Sequence, residues 1–271
     1  YTADPEKLSL RATMPQFLEM EERHGSVIRG MYANLRSRKT GAPAGSGARY
    51  SLFVSFRDGM STLVDAIVKK LPQGSVRTGV TVEGIAQTYD GWQLSSDRGP
   101  LDASGVILAT PSYVTAGLLY DTSPECASLL RQIEYASSAV VIQAYRKEDV
   151  GAEIEGFGFV VPRIEGSSII ACSFSSEKFP GRAPEGYTVM RVFVGGAVSP
   201  ERYIQDDERM AETVRAELSG ILLIKSKPVF TIVKRYPNAM PQYHVGHMDL
   251  VERINKEIRK LDGLEVAGNA F

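Results

Sequence analysis

Histidine and cysteine are scarce in this chain of 271 residues, which has three histidines and two cysteines. Cys126 and Cys172 are far apart and form no CxxC pair, so neither a disulfide framework nor a zinc ribbon is expected. No apolar run approaches the roughly 18 residues that a membrane-spanning helix needs. The formal net charge of -1 argues against a general nucleic-acid binder, which is usually basic.

The usual nucleotide-binding and nucleophile motifs are also missing from the sequence. It contains no GxGxxG, no GxxxxGK[ST] and no GxSxG. The GSG at residues 45–47 lacks a third glycine and follows no predicted strand, so residues 41–47 are predicted to be a loop of small residues. Composition alone leaves a Ser-His-Asp triad open, although nothing in the sequence marks one.

Two of the three histidines lie in the stretch PNAMPQYHVGH, as His244 and His247. At i, i+3 they could share a helix face and bind a metal ion. A zinc site needs further ligands, and only Asp249 is close in sequence. The better interpretation is a turn packed between a strand and a helix, with no metal.

Hydrophobic periodicity predicts several helices. Residues 1–38 and 112–135 look helical, and Pro15 is suited to the first position of a helix. An apolar stripe from Met60 to Leu71 predicts an amphipathic helix. A further helix is expected around Met210 to Leu218, and another in DLVERINKEIRKL, which Asp249 would cap.

Alternation and short apolar runs predict the strands. GVTVEGI and GWQLSS form a hairpin around Asp90-Gly91, and VILATP is typical of a parallel strand covered on both faces. Residues 137–197 predict one antiparallel sheet, formed by SSAVVIQAY, GFGFVVP, SSIIACSFS and YTVMRVFVGG. PVFTIVKRY and LEVAGNA complete the predicted strands. The expected fold class is therefore α+β.

Side chains on a strand alternate between two faces, which groups residues within this sheet. If the groups coincide, they form a mostly small and apolar surface with one aromatic ring and one cation. A wide, flat ligand bearing carboxylates would suit such a surface, and ordinary core packing is the alternative. The groups are Gly156, Gly158 and Val160; Ile169, Ala171, Ser173 and Ser175; and Val189, Arg191 and Phe193.

Seven stretches together resemble the flavin-dependent protoporphyrinogen oxidase family, above all its Gram-positive type, which oxidises coproporphyrinogen III. They run in family order over nearly the whole chain, and the middle and late ones are specific. The stretches are YTADPEKLSLRATMPQF, SFRDGMSTLVDAI, VILATP, GFGFVVP, IACSFSSEKFPGRAPEGYTVMRVFVGG, RYPNAMPQYHVGH and LEVAGNAF.

The resemblance implies an antiparallel substrate-binding sheet with flanking helices, together with parts of an FAD-binding α/β domain. The substrate-binding sheet would be residues 137–235. The helical regions, of a membrane-associated type, would be residues 1–50 and 112–136. Residues 51–111 and 236–271 would be parts of the FAD-binding domain.

The resemblance also implies site residues. The FAD contacts would be Val82, Tyr236 (where relatives often have tryptophan), Gly268 and Asn269. The porphyrinogen would lie against Gly158, Val160, Ser173 and Phe193. Arg191 shares a strand face with Phe193 and is therefore predicted to hold a propionate; the alternatives are a solvated surface arginine and a pairing with Glu185. Asp58 replaces the usual small residue, so the local turn is expected to differ. No catalytic acid or base is identified.

The implied reaction is the oxidation of coproporphyrinogen III or protoporphyrinogen IX to the porphyrin by FAD and O2 in heme biosynthesis. A cytoplasmic location is expected, with peripheral contact on the inner membrane face and contact with other heme-pathway enzymes. Because the family's GxGxxG unit and C-terminal flavin helix are missing, the chain is interpreted as an internal fragment, inactive alone and with little or no bound FAD. The alternatives are another flavin amine oxidase-type oxidoreductase and a non-enzymatic binding module.

Overall fold

The computed structural model describes residues 3–39, 54–154 and 156–271. The loop predicted at residues 41–47 lies outside them. The described helices are α1 (Leu10–Thr13), α2 (Pro15–His24), α3 (Val27–Lys39), α4 (Ser61–Val68), α5 (Ser112–Leu118), α6 (Pro124–Leu130), α7 (Ser175–Lys178), α8 (Pro200–Ile204), α9 (Asp207–Leu222) and α10 (His247–Ile258). The strands are β1 (Val82–Thr88), β2 (Gly91–Ser96), β3 (Leu101–Ala103), β4 (Val106–Leu108), β5 (Tyr135–Arg146), β6 (Gly158–Val160), β7 (Ala171–Phe174), β8 (Tyr187–Gly195), β9 (Phe230–Pro241) and β10 (Leu264–Val266).

The chain divides into two compact units. The first is drawn from the described parts of residues 1–4, 34–66 and 135–240. It contains a five-stranded sheet in the order β6-β7-β8-β5-β9, in which β6–β7, β7–β8 and β8–β5 pair antiparallel. Helices and antiparallel sheets together give the α+β fold class that the sequence predicts.

Helix α9 covers one face of this sheet because its apolar residues recur at four-residue steps. Met210, Val214, Leu218 and Leu222 are all buried. They pack against strand residues that include Val141, Cys172, Met190 and Val192. Each fully buried aliphatic side chain contributes about 1.5–3 kcal/mol. The Asp206 carboxylate caps the helix by accepting from the Arg209 amide at 2.8 Å.

The second unit is drawn from the described parts of residues 5–33, 67–134 and 241–271. It contains an antiparallel sheet in the order β1-β2-β3 and a parallel pair of β4 with β10. Trp92 on β2 is 1% exposed, and its Nε1 donates to the Asp262 carbonyl at 2.9 Å. This bond joins the antiparallel sheet to the segment that leads into β10.

Two strand predictions need correction. The β1–β2 hairpin exists, but Tyr89 and Asp90 form its turn, because Gly91 already pairs with Thr88. The left-handed φ of 147° at Gly91 and the close Ala103 carbonyl, 2.4 Å from a Cβ placed there, explain the glycine. Strand β4 is parallel to its partner, as predicted. It is not covered on both faces, because Ile107 points away from the buried Leu108 and is 70% exposed.

Two helix predictions have different outcomes. Pro15 opens α2, as predicted. The cap predicted at Asp249 is wrong, because α10 already begins at His247 after Gly246, whose φ is 90°. Asp249 instead lies in the first turn of α10, where a carboxylate complements the helix dipole. Among the described residues, no helix combines the length and the apolar character needed to cross a membrane.

Candidate functional site

The register of the five-stranded sheet brings the predicted substrate residues onto one face. Gly158 pairs with Ser173, and Ser173 pairs with Arg191. In the neighbouring row, Ala171 pairs with both Val160 and Phe193. Paired residues in an antiparallel sheet project to the same side. We call this side, opposite α9, the outer face; it comprises Gly158, Val160, Ala171, Ser173, Arg191 and Phe193.

The predicted face is confirmed in its centre and wrong at its ends. Strand β7 extends only from Ala171 to Phe174. Ile169 precedes it and is buried in the core under α9, so it does not reach the outer face. Ser175 begins α7, and Gly156 precedes β6. The prediction assumed that side chains alternate along the whole of each segment, but β6 and β7 are shorter than those segments.

Gly158 lies where the backbones of β6 and β7 come unusually close. Its φ is 145°, and a Cβ placed there would lie 2.2 Å from the Cys172 carbonyl oxygen. A larger residue would force the two strands apart. The glycine therefore keeps this part of the outer face flat.

Arg191 and Phe193 form the polar and aromatic part of the outer face. The Arg191 guanidinium carbon lies 5.7 Å from the centroid of the Phe193 ring, within the range of a cation–π contact. Arg191 is exposed, and no ion pair involves it in the described part of the chain. The alternative pairing with Glu185 is therefore not formed, and the guanidinium can bind an external carboxylate.

A groove adjoins the outer face at Ser173. Ser173 Oγ donates to the Phe157 carbonyl at 3.4 Å, and the Phe157 side chain lines the groove, whose volume is about 420 Å³. We call it the Phe179 groove. It is lined by Val54, Ser55, Phe56, Arg57, Phe157, Glu177, Lys178, Phe179, Pro180 and Arg182.

Tyr236 lies on β9 and is 44% exposed. Its neighbour Arg235 is held by the α8–α9 junction: Nη1 donates to the Tyr203 carbonyl at 2.5 Å, Nε donates to Asp207 Oδ1 at 2.8 Å, and Nη2 donates to the Gln205 carbonyl. Because side chains alternate along a strand, Tyr236 points to the opposite side from Arg235. The strand is thus anchored one residue from the predicted flavin contact.

The other predicted flavin contacts lie in the second unit. Val82 begins β1 and is 37% exposed, beside a bulge between Val82 and Gly84. Gly268 has a φ of 136° and open space where a Cβ would be. The Tyr243 hydroxyl donates to the Asn269 carbonyl and fixes the segment after β10.

The two histidines occupy the junction between β9 and α10. His244 Nδ1 lies 3.8 Å from Glu134 Oε1. Burial lowers the pKa of His247, although a hydrogen bond to the Ala270 backbone opposes this shift. The Tyr243 ring packs on His247 with a centroid distance of 4.7 Å. Within the described ranges, no group of three or more His, Cys, Asp or Glu residues could hold a metal ion.

The strongly shifted titrating groups of the sheet lie in its core. Burial raises the pKa of Cys172 to about 12 and that of Tyr145 to about 12. The Tyr145 hydroxyl donates to Gln143 Oε1 at 2.6 Å, and Gln143 Nε2 donates to the Ala211 carbonyl of α9 at 2.9 Å. These groups support packing and keep their protons, so they do not provide an acid or base for a ligand on the outer face.

The family model of flavin-containing amine oxidoreductases matches residues 1–271 of this chain. The chain belongs to that family. The curated relatives agree with the resemblance that its motifs predict. It is 33% identical to the coproporphyrinogen III oxidase of Bacillus subtilis over 100% of this chain and 57% of that protein. It is 30% identical to the coproporphyrinogen III oxidase of Staphylococcus aureus, over 100% of this chain and 59% of the relative.

Plant proteins and solved structures extend the comparison. Protoporphyrinogen oxidase 1 of Spinacia oleracea is 30% identical over 93% of this chain and 48% of that protein. A crystal structure of an inferred protoporphyrinogen oxidase from Exiguobacterium sp. 255-15 superposes with a TM-score of 0.80 at 30% identity, covering 100% of this chain and 56% of the other. A putrescine oxidase variant shares the fold, with a TM-score of 0.61 at 16% identity over 78% of this chain and 47% of the other.

The chain thus spans between about half and three fifths of the length of these relatives. The family motifs and the alternation of side chains each predicted that Gly158, Ser173 and Phe193 share one face.

Sequence reasoning missed the Arg235 anchor and the Phe179 groove. Arg235 and Asp207 are 28 residues apart and share no periodic pattern, so no local signal indicates their contact.

Proposed function

We propose that the outer face binds a porphyrinogen and that the full-length protein is an FAD-dependent oxidase. It would convert coproporphyrinogen III or protoporphyrinogen IX to the porphyrin, with O2 as the electron acceptor, in heme biosynthesis. The names of the bacterial and plant relatives support this substrate class. The family supports the flavin.

One observation carries the proposal: small residues, an aromatic ring and a cation that forms no ion pair with the described residues share one side of the sheet. Gly158 and Ser173 leave room for a flat macrocycle, and Phe193 offers a ring beside it. Arg191 can donate two parallel hydrogen bonds to a propionate. The outer-face residues named above include no carboxylate, histidine or thiol, as suits a reaction in which the cofactor does the chemistry.

The residues assigned to FAD fit a flavin within their own units. Tyr236 presents a half-exposed ring from an anchored strand, which suits contact with another flat ring. The open space and left-handed backbone at Gly268 allow a ligand to approach the main chain closely. Val82, on β1, and Asn269, which follows Gly268, would contribute backbone contacts. When bound, the flavin supplies the electron-accepting chemistry.

The protein residues would orient the ring and exclude water. Phe193 and Val160 would cover one side of the macrocycle, and Arg191 would fix its rotation by holding a propionate. A rotated macrocycle would present the wrong bridging carbon to the cofactor. Positioning of this kind contributes to catalysis without any proton transfer by the protein.

The segments would have distinct roles. The substrate-binding domain would be residues 137–235, and residues 51–111 and 236–271 would contribute to the FAD domain. Residues 1–50 and 112–136 would form the helical, membrane-associated region. Contact with other heme-pathway enzymes would follow from the shared substrates.

Helix α3 supports a peripheral membrane contact. Ile28, Met31 and Leu35 follow the i, i+3, i+7 spacing and are 79%, 51% and 58% exposed. The helix sequence VIRGMYANLRSRK contains four basic residues and no acidic one. A basic amphipathic helix of this kind binds anionic membrane surfaces. Replacing Ile28 and Leu35 with serine should abolish cosedimentation with anionic vesicles, while wild-type protein should not bind neutral vesicles.

The activity is tested by supplying anaerobically prepared coproporphyrinogen III or protoporphyrinogen IX to the FAD-loaded full-length protein and then admitting air. Porphyrin fluorescence should rise in proportion to enzyme, faster than in the enzyme-free control. An amine substrate such as putrescine should give no turnover. Turnover of an amine with no porphyrin formation would replace the proposal by the amine oxidase alternative.

A further inference from the structure

We infer that the Phe179 groove is a second carboxylate subsite, which distinguishes a substrate with four carboxylates from one with two. This inference rests on the proposed function, because it concerns how the same substrate would be held. The groove is separate from Arg191 but adjoins the outer face through the hydrogen bond between Ser173 and Phe157. A macrocycle on that face would therefore have an edge directed to the groove.

The charge of the groove favours an anion. Among the residues that the structure describes, its lining includes Arg57, Lys178 and Arg182, against one carboxylate, Glu177. Lys178 Nζ and Arg182 Cζ lie 5.7 Å and 5.8 Å from the centroid of the Phe179 ring, so two like charges share one aromatic side chain. Glu177 is already 3.2 Å from Lys147 in an ion pair outside the lining residues. The described lining residues thus carry more positive than negative charge.

The groove also has apolar walls that suit a pyrrole ring bearing the carboxylate. Phe56 and Phe157 are 41% and 44% exposed, and Val54 and Pro180 extend the apolar lining. A small inorganic anion would leave these rings in water. An amphipathic carboxylate, with its apolar body on the rings and its charge at the cations, matches both features.

Arg182 holds the groove together. Its Nη2 donates to Ser55 Oγ at 3.0 Å and to the Phe56 carbonyl at 2.8 Å. The guanidinium therefore fixes the segment that carries Phe56 and Arg57 against the loop that carries Phe179. Arg182 thus positions the wall of the groove, and Arg57 and Lys178 are the other two cations that line it.

The experiment measures binding of two porphyrins to the full-length protein by fluorescence titration. Coproporphyrin III has four propionates, and protoporphyrin IX has two. Lys178→Ala and Arg57→Ala should each raise the dissociation constant of coproporphyrin III about fivefold, the usual range for one exposed charged contact. The dissociation constant of protoporphyrin IX should rise less than about twofold. Lys178→Arg should restore wild-type discrimination. Arg209→Ala, which removes the same charge from the exposed surface of α9, should change neither affinity.

Equal weakening of both porphyrins, or no weakening of either, in protein that still melts at the wild-type temperature would overturn the subsite. Failure of the proposed function looks different, because wild-type protein would then bind neither porphyrin and oxidise neither porphyrinogen. If the full-length protein oxidises coproporphyrinogen III normally but Lys178→Ala and Arg57→Ala leave its affinity for coproporphyrin III unchanged, the subsite alone is refuted.

Discussion

Ser173 lies directly across from Arg191 in the antiparallel pairing of β7 with β8. This register makes a hydroxyl, a guanidinium and the nearby Phe193 ring neighbours on one face, although Ser173 and Arg191 are far apart in sequence. On one side Arg191 is over Phe193, and on the other Ser173 donates to the Phe157 carbonyl at the Phe179 groove. The pair is therefore the centre of the proposed substrate face.

Replacing Arg191 with alanine should weaken substrate binding more than turnover. Because the guanidinium would hold a propionate equally in the bound state and the transition state, the KM for coproporphyrinogen III should rise about tenfold, with kcat within about twofold. The KM for protoporphyrinogen IX, which has fewer carboxylates, should rise less. Steady-state assays of the full-length protein measure both, with Arg209→Ala as the charge-matched control. Unchanged KM for both substrates would contradict the role.

Replacing Gly158 with alanine should destabilise the first unit. The new Cβ would lie 2.2 Å from the Cys172 carbonyl oxygen at a φ of 145°, so the free energy of unfolding should fall by more than about 2 kcal/mol. Gly220→Ala is the matched control, because Gly220 lies in α9 with no atom within 4 Å of a new Cβ; it should be neutral or stabilising. Urea denaturation compares the two variants. Equal unfolding free energies for Gly158→Ala and Gly220→Ala would show that β6 and β7 can move apart without loss of stability.

Replacing Arg235 with alanine should loosen β9 at the residue beside Tyr236. The guanidinium, 30% exposed, makes three hydrogen bonds to the α8–α9 junction, and charged hydrogen bonds contribute about 1.5–3 kcal/mol. We expect a loss of about 2 kcal/mol in unfolding free energy and a shifted flavin absorption spectrum in the full-length protein. The neighbouring Lys234→Ala removes an exposed charge and should change neither. An unaltered flavin spectrum in Arg235→Ala would show that the Arg235 hydrogen bonds do not influence the surroundings of the flavin.

His247 should make the stability of the second unit depend on pH. Burial lowers its pKa from the ordinary value of 6.5, so below that value the unfolded chain binds more protons than the folded one. The contribution is complete above about pH 6.5 and is lost as the pH falls through the folded pKa. Melting temperatures at about pH 7.5 and about pH 5.5 should differ more for wild type than for His247→Gln. His24→Gln, at an exposed histidine, should keep the wild-type difference.

Local patterns predicted the elements whose residues alternate or recur over several turns. The strands of residues 137–197, the helix with Met210, Val214 and Leu218, and the outer face all follow from such patterns. Strand ends were wrong where the structure interrupts the alternation, as at Ile169. Strand β9 continues through Pro237 to Pro241, beyond the predicted PVFTIVKRY, because β9 is at the edge of its sheet, where prolines are tolerated.

Features that depend on distant contacts had no sequence signal. The three-residue β3 is too short for a periodic pattern and exists through its pairing with β2. The Phe179 groove needs residues 54–57 and 177–182 to meet, and Arg182 makes that contact across 126 residues. The amphipathic α4 was predicted, yet Met60, Val64 and Ile67 remain 58%, 60% and 53% exposed. Hydrophobic periodicity predicts that a helix has an apolar face, but it does not identify the residues that pack against that face.

The central claim, that the outer face binds a porphyrinogen, is tested most directly by a position-resolved crosslink. A photoreactive benzophenone side chain would replace Val160, which is 51% exposed on the outer face, or Ile221, which is 43% exposed on α9. After irradiation of the full-length protein with coproporphyrin III, the denatured protein should carry porphyrin fluorescence only for the label at position 160. Labelling at position 221 alone, or equal labelling at both positions, would contradict the account.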